Sequence, residues 1–236
     1  MDEIIVALGI SLGFFVQTIL GFAAALVAIP ILLQVKDLPD AIGLMSIFYF
    51  VFSLILVYKN RKEIDKNTVM PMLFSGVIGL ILGISTLKTI HPLLLKKSLG
   101  IFIILYVVYL FFKDEKIKIS KNWGGILGFI GGFLSGLYGF GGPLFIIYIH
   151  SRIKKASIIR ATVIGTLGVI NFLRVPILIY NDILNLNVLK QSLFVFPFFL
   201  LALFLGHQLY HKINEKTFNK MLIGFLLLSA ISLIIK

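Results

Sequence analysis

Eight long apolar runs fill this chain so completely that a water-soluble fold has no polar face left to build. The runs lie at about 4–35, 41–58, 68–87, 93–112, 123–151, 158–180, 188–210 and 218–235 of 236 residues. A helix that crosses a bilayer needs about 20 apolar residues, and six of the eight runs fit that length. Between them stands helix-ending chemistry: Asn60, Asp65-Lys66-Asn67, His91-Pro92, Ser120-Lys121-Asn122, Asn181-Asp182 and Asn214-Glu215. Only 14% of the residues are charged, against about 25% in a soluble domain, and the mean hydropathy is +1.05. The fold class is therefore an all-α integral membrane protein with several crossings.

The net charge of +12 would suggest nucleic acid if it lay on a folded soluble face. Here the basic residues sit between apolar runs, where Lys and Arg mark loops kept on the cytoplasmic side. Nucleic acid is excluded as a partner on that ground, and the lipid bilayer takes its place. The chain has no cysteine, so disulfides, thiol catalysis and thiolate metal sites are excluded. The start, Met1-Asp2-Glu3, lacks the basic segment of a signal peptide, and the apolar run behind it is too long for one. Residue 4 onward is read as mature structure.

The first and fifth runs differ from the rest. Each is close to 30 residues long with a glycine-rich centre. At an offset of 118, Gly13, Phe15, Gly21, Phe22, Leu26 and Ile31 coincide with Gly131, Phe133, Gly139, Phe140, Leu144 and Ile149. This reads as a duplication, with repeats at 1–117 and 118–236 forming one transmembrane domain. Topology follows from charge. If all eight runs cross, the connections carry 10 basic residues on one side and 11 on the other, which gives no orientation. If runs one and five are instead hairpins of two shorter helices, the totals become 6 and 15, and the positive-inside rule is obeyed. Three full crossings per repeat are then left, an odd number, so the repeats are inverted. Length agrees, because about 30 helical residues extend about 45 Å against a hydrocarbon core near 30 Å. A strongly tilted single helix is the alternative.

The breaks are expected at Gly21 and at Gly139-Phe140-Gly141-Gly142, with Pro143 opening the next helix. A helix that starts inside the bilayer presents free N–H groups and the positive end of its dipole, which need a cavity, water or a ligand. Two such starts facing each other would hold an anion. The competing reading is that the glycines only let helices pack closely. It is stronger in the first repeat, where Ala23-Ala24-Ala25 follow Phe22 and alanine does not break a helix.

Arg174 stands inside the run 161–180, with Asn171 one turn before it and Pro176 just after. A guanidinium within a span is expensive and turns toward a cavity or a partner. All ten Asp and Glu residues fall in connections or at the chain start, so a bound anion is the natural counter-charge. Snorkelling to the interface is the alternative. Gln17 and Ser135 occupy equivalent repeat positions and either donate to a ligand or bond neighbouring helices. His207 and His211 have metal-ligand spacing but no accompanying Glu, and no metal is expected. No nucleophile elbow, P-loop or dinucleotide fingerprint is present, so neither a cofactor nor an enzyme is expected.

The run centred on Gly139-Phe140-Gly141-Gly142 and its echo resemble the sulfite exporter TauE/SafE family. So do the connection ending in Arg160-Ala161-Thr162 and the helix with Asn171 and Arg174. The resemblance covers nearly the whole chain as two repeats. It implies a multi-pass carrier in the cytoplasmic membrane for small anions such as sulfite, sulfoacetate and other organosulfur or organic anions. It assigns Gly139, Phe140, Gly141 and Gly142, with Gly21 and Phe22, to substrate binding. The chain departs from the family's glycine pattern at Ala23 and Ala24, which sets the symmetry of two half-sites in question. The substrate-binding set expected overall is Gln17, Gly21, Phe22, Ser135, Gly139, Phe140, Gly141, Gly142, Asn171 and Arg174. Rocking of the two repeats would alternate access, and a potential negative inside would favour anion exit by about 2.3 kcal/mol per charge per 100 mV. The expected partners are the small anion, the bilayer and, as an option open to such carriers, a second copy of the chain. The alternatives are a non-transporting membrane assembly partner and a carrier for a different solute.

Overall fold

The structure is a computed structural model that describes residues 2–20, 23–112, 119, 120, 122–209 and 215–235. Ten α-helices occur among the described residues: α1 Asp2–Leu20, α2 Ala24–Leu32, α3 Leu38–Asn60, α4 Lys66–Thr89, α5 Pro92–Phe112, α6 Trp123–Tyr138, α7 Gly142–Arg152, α8 Ala156–Tyr180, α9 Leu186–Leu209 and α10 Glu215–Ile235. Six of them (α1, α3, α4, α5, α8 and α9) are long and apolar enough to cross a membrane. The apolar runs between residues 41 and 112 and beyond 158 each became one helix. Runs one and five each became two.

Both split runs fold back on themselves. Gly13 packs against Ala24 and Ala28, and Gly9 against Ile31, so α2 retraces α1 in the opposite direction. Likewise Gly131 packs on Phe145 and Gly124 on Tyr148, so α7 retraces α6. The arms are unequal, at 19 and 9 residues in the first pair and 16 and 11 in the second. A single tilted helix is thereby ruled out for both runs. The first break lies between the end of α1 at Leu20 and the start of α2 at Ala24, and Gly21 and Phe22, where it was expected, lie outside the described residues. Its last residue is Ala23, held at φ 87°, and α2 begins at Ala24. The alanines thus continue as helix behind the break, and Ala23 itself takes a backbone conformation that its Cβ disfavours by about 1–2 kcal/mol. Ala23→Gly is expected to raise stability by about 0.5–1 kcal/mol, after allowing for the greater chain entropy of glycine. Thermal unfolding in detergent measures it.

The chain divides into two compact units, each assembled from separated segments. One comprises 1–41, 90–115 and 193–236. Within it Phe14 of α1 meets Phe199 of α9 edge to face at 4.9 Å, and Gly100 of α5 admits Ala230 and Leu233 of α10. The other comprises 42–89 and 116–192. Its centre is the parallel pair α4 and α6. Gly132 of α6 lies so close to Gly76 of α4 that a Cβ there would fall on the Gly76 carbonyl group. Gly128 beside Met72 and Gly136 beside Leu80 and Gly83 continue the same seam. Small residues let membrane helices approach until dispersion and Cα–H contacts hold them. The close-packing reading of the glycines is therefore correct for one face of α6, and the break lies directly beyond it.

Many large apolar side chains point outward, among them Phe74, Leu193, Leu201 and Phe204, as expected where the solvent is lipid. Several hydroxyls inside the helices are satisfied by their own backbone. Ser46, Ser85, Thr86, Ser98 and Thr166 donate to the carbonyls four residues earlier. That removes the cost of an unpaired polar group in hydrocarbon. The connection from α3 to α4 is tied down by Thr162 of α8, whose Oγ1 accepts from the Asp65 N–H at 3.1 Å. Asp65 in turn caps α4 by accepting from the Asn67 N–H and the Thr68 hydroxyl.

Candidate anion site

The second break is made by three residues with distinct tasks. Gly139 sits at φ 71°, and this left-handed turn lets its N–H reach the Ser135 carbonyl at 2.9 Å and the Phe140 N–H reach that of Leu134 at 3.3 Å. Gly141 presses against the Gly131 carbonyl oxygen and the Ser135 hydroxyl, leaving no room for a side chain. Pro143 then occupies the first turn of α7, and no side chain caps that helix start. Phe140, Gly141, Gly142 and Pro143 are all buried.

Arg174 approaches this break from α8. It is 1% exposed, so it does not snorkel to the interface but points inward. Its Nη2 donates to the Ser135 carbonyl oxygen at 2.6 Å. Its Nε and Nη1 have no hydrogen-bond partner among the described residues. The ring of Tyr49 lies 5.8 Å from the guanidinium carbon, within range of a cation–π contact. A charge buried this way costs several kcal/mol unless something compensates it. One carbonyl and one ring face leave the three N–H bonds of Nε and Nη1 unspent among the described residues. Ser135 is the common neighbour. Its carbonyl takes Arg174, and its hydroxyl lies beside Gly141 at the start of α7.

The expected site residues are thus only partly gathered. Ser135, Gly139, Gly141, Gly142 and Arg174 come together in one unit, with Phe140 on the same turn. Asn171 is buried nearby on α8, but its Nδ2 donates to the Ser53 hydroxyl of α3 at 2.9 Å, a helix-to-helix bond. Gln17 belongs to the other unit, where its Oε1 accepts from the Ala24 N–H at 3.2 Å and caps α2. Ser135, which the offset of 118 aligns with Gln17, makes no such cap on α7 among the described residues. Gly21 and Phe22 lie outside the described residues, as does His211. Sequence reasoning missed Tyr49 and Ser53. Both sit in an unbroken apolar run, and no spacing rule connects them with α8; only the packing of α3 on α8 does so.

Glycine-broken hairpins, outward apolar faces and a buried arginine at one break define a multi-pass α-helical membrane protein with an intramembrane polar centre. The sequence model of the family described as Sulfite exporter TauE/SafE matches residues 5–233, and the chain belongs to that family. It is 30% identical over 171 residues to a protein of Methanocaldococcus jannaschii described as a probable membrane transporter protein. The match covers 69% of this chain and 61% of that relative's length. No solved structure matches it significantly.

Proposed function

We propose that this protein is a transporter of the cell membrane that exports a small anion, sulfite or a related organosulfur or organic anion. The observation that carries the reading is the buried Arg174, whose Nε and Nη1 are unpartnered among the described residues. The family and the relative's description support transport; the arginine supports an anion. In this reading the anion accepts from Arg174 and from the first N–H groups of α7, where the helix dipole adds roughly half a positive charge. Gly141 keeps the approach clear, and Tyr49 steadies the guanidinium when no anion is present.

The reading takes the repeats 1–117 and 118–236 as inverted, each a hairpin followed by three crossings, with the side that carries 15 basic residues in the cytoplasm. Export then needs no coupled ion, because a potential negative inside drives the anion out.

The test is flux in proteoliposomes under an imposed potential, with sulfite, sulfate, thiosulfate and a simple carboxylate offered separately. Potential-driven movement of one sulfur oxyanion, at least about tenfold above protein-free vesicles, is the expected result. Movement of the carboxylate alone would shift the substrate class. Absence of any anion flux from correctly inserted protein would overturn the reading and leave an assembly role.

A further inference from the structure

A cleft runs along the outer face between α3 and α8, and of the residues described around the candidate site it shares only Ser53. It encloses about 460 Å³. Its floor is Ser53 and Gly168, and its walls include Leu54, Val57 and Leu173. At one end the rings of Phe50 and Phe172 stack at 5.9 Å. At the other end Arg61 lies over the ring of Tyr58 at 4.4 Å. Leu54, Val169 and Phe172 are 52%, 39% and 57% exposed, so the cleft faces outward, where lipid would be.

We propose that this cleft binds one anionic phospholipid, with an acyl chain in the groove and the phosphate held by Arg61. Length is the first argument. From Phe50 to Arg61 the α3 axis rises about 16 Å, which is one leaflet of a hydrocarbon core near 30 Å. The occupant thus reaches from the stacked rings, near mid-membrane, to the surface and no further. Charge is the second. Arg61 opens the connection to α4, and no ion pair holds it among the described residues. Exposed Lys62 and Lys66 share that surface, while Asp65 is spent on capping α4. Glu63 alone is set against these cations. A helix from a second copy would bury Arg61 against apolar side chains, which a charge resists. A zwitterionic lipid would bring its own cation to the site. A chain ending in a net-negative phosphate satisfies both the groove and the guanidinium.

The groove is reported by a tryptophan. The chain has one, Trp123, so the probe is Leu54→Trp in a Trp123→Phe background. A reference probe at the outward-facing Leu201 of α9 is made as Leu201→Trp in the same background. Full-length protein is placed in vesicles with increasing fractions of brominated phosphatidylglycerol or brominated phosphatidylcholine. At the Leu54→Trp probe, half-maximal quenching is expected at a fraction of phosphatidylglycerol at least fivefold below that of phosphatidylcholine. At Leu201→Trp the two lipids should quench alike, and Arg61→Gln should abolish the preference at Leu54→Trp. Equal quenching by both lipids at Leu54→Trp would overturn the proposal. So would a preference that survives Arg61→Gln, or quenching by neither lipid, which would mean that protein covers the cleft.

Discussion

Arg174→Leu is expected to reduce anion flux at least about 100-fold without lowering the temperature at which the protein unfolds. The flux loss corresponds to about 2.7 kcal/mol, within the 2–5 kcal/mol that truncating one side of a buried charge pair costs. The stability half of the prediction separates a ligand from a structural pin. Removing the guanidinium forfeits one charged hydrogen bond, to the Ser135 carbonyl, worth about 1.5–3 kcal/mol. It also relieves the desolvation of a charge with two unpartnered nitrogens, a cost of several kcal/mol. The terms offset or favour the variant. Arg174→Met, which keeps more of the stem's volume, should unfold no lower than Arg174→Leu. Arg174→Lys should recover part of the flux, since it restores the charge without the planar fork. Retained flux in Arg174→Leu at normal expression would remove the residue from the proposed anion site. Flux lost together with a sharply lower unfolding temperature would make Arg174 a clamp on the end of α6.

Gly132→Ala should be among the most damaging single-methyl substitutions in the chain. The added Cβ would meet the backbone of Gly76, and no rotamer change can move a backbone carbonyl aside. Overpacking of this kind costs about 1–3 kcal/mol, and more where the neighbour cannot yield. The parallel seam of α4 and α6 would have to open, and the seam leads straight to the break at Gly139. Gly125→Ala and Gly224→Ala are the controls, since nothing lies within 4 Å of a Cβ at either position. They sit in α6 and α10 and should gain about 0.5–1 kcal/mol from lower chain entropy. Unfolding in detergent, read side by side for the three variants, measures all of this. Three equal shifts would show that the tight seam does not carry stability.

How much of this was legible in the sequence depended on whether the cause was local. Gly139-Phe140-Gly141-Gly142-Pro143 holds the permissive turn, the side-chain-free contact and the helix start within five residues, so the second break could be read directly. The first break was harder. Ala23, Ala24 and Ala25 are good helix formers, and local propensity argued against interruption there. The packing of Gly13 on Ala24 and Ala28 requires the chain to reverse anyway, and Ala23 absorbs the strain. Gln17 shows the limit from the other side. Its repeat position suggested a ligand donor equivalent to Ser135, yet its amide oxygen caps α2. Two residues aligned by an offset along the sequence need not share a task once their neighbours differ.

The sequence by itself determined the solvent and the class of element. Runs of about 20 apolar residues with charges confined between them leave only helices in lipid, because every backbone group there must be satisfied within its own segment. It also singled out Arg174, since a charge inside such a run is anomalous whatever surrounds it. Only the tertiary structure decided where that charge points and what it lacks. The Ser135 carbonyl, the Tyr49 ring and the two unpartnered nitrogens come from segments far apart in the chain. Whether a donor is satisfied depends on which segments pack together, and helix packing among uniformly apolar runs is set by the shape of small and large side chains rather than by any pattern along one of them.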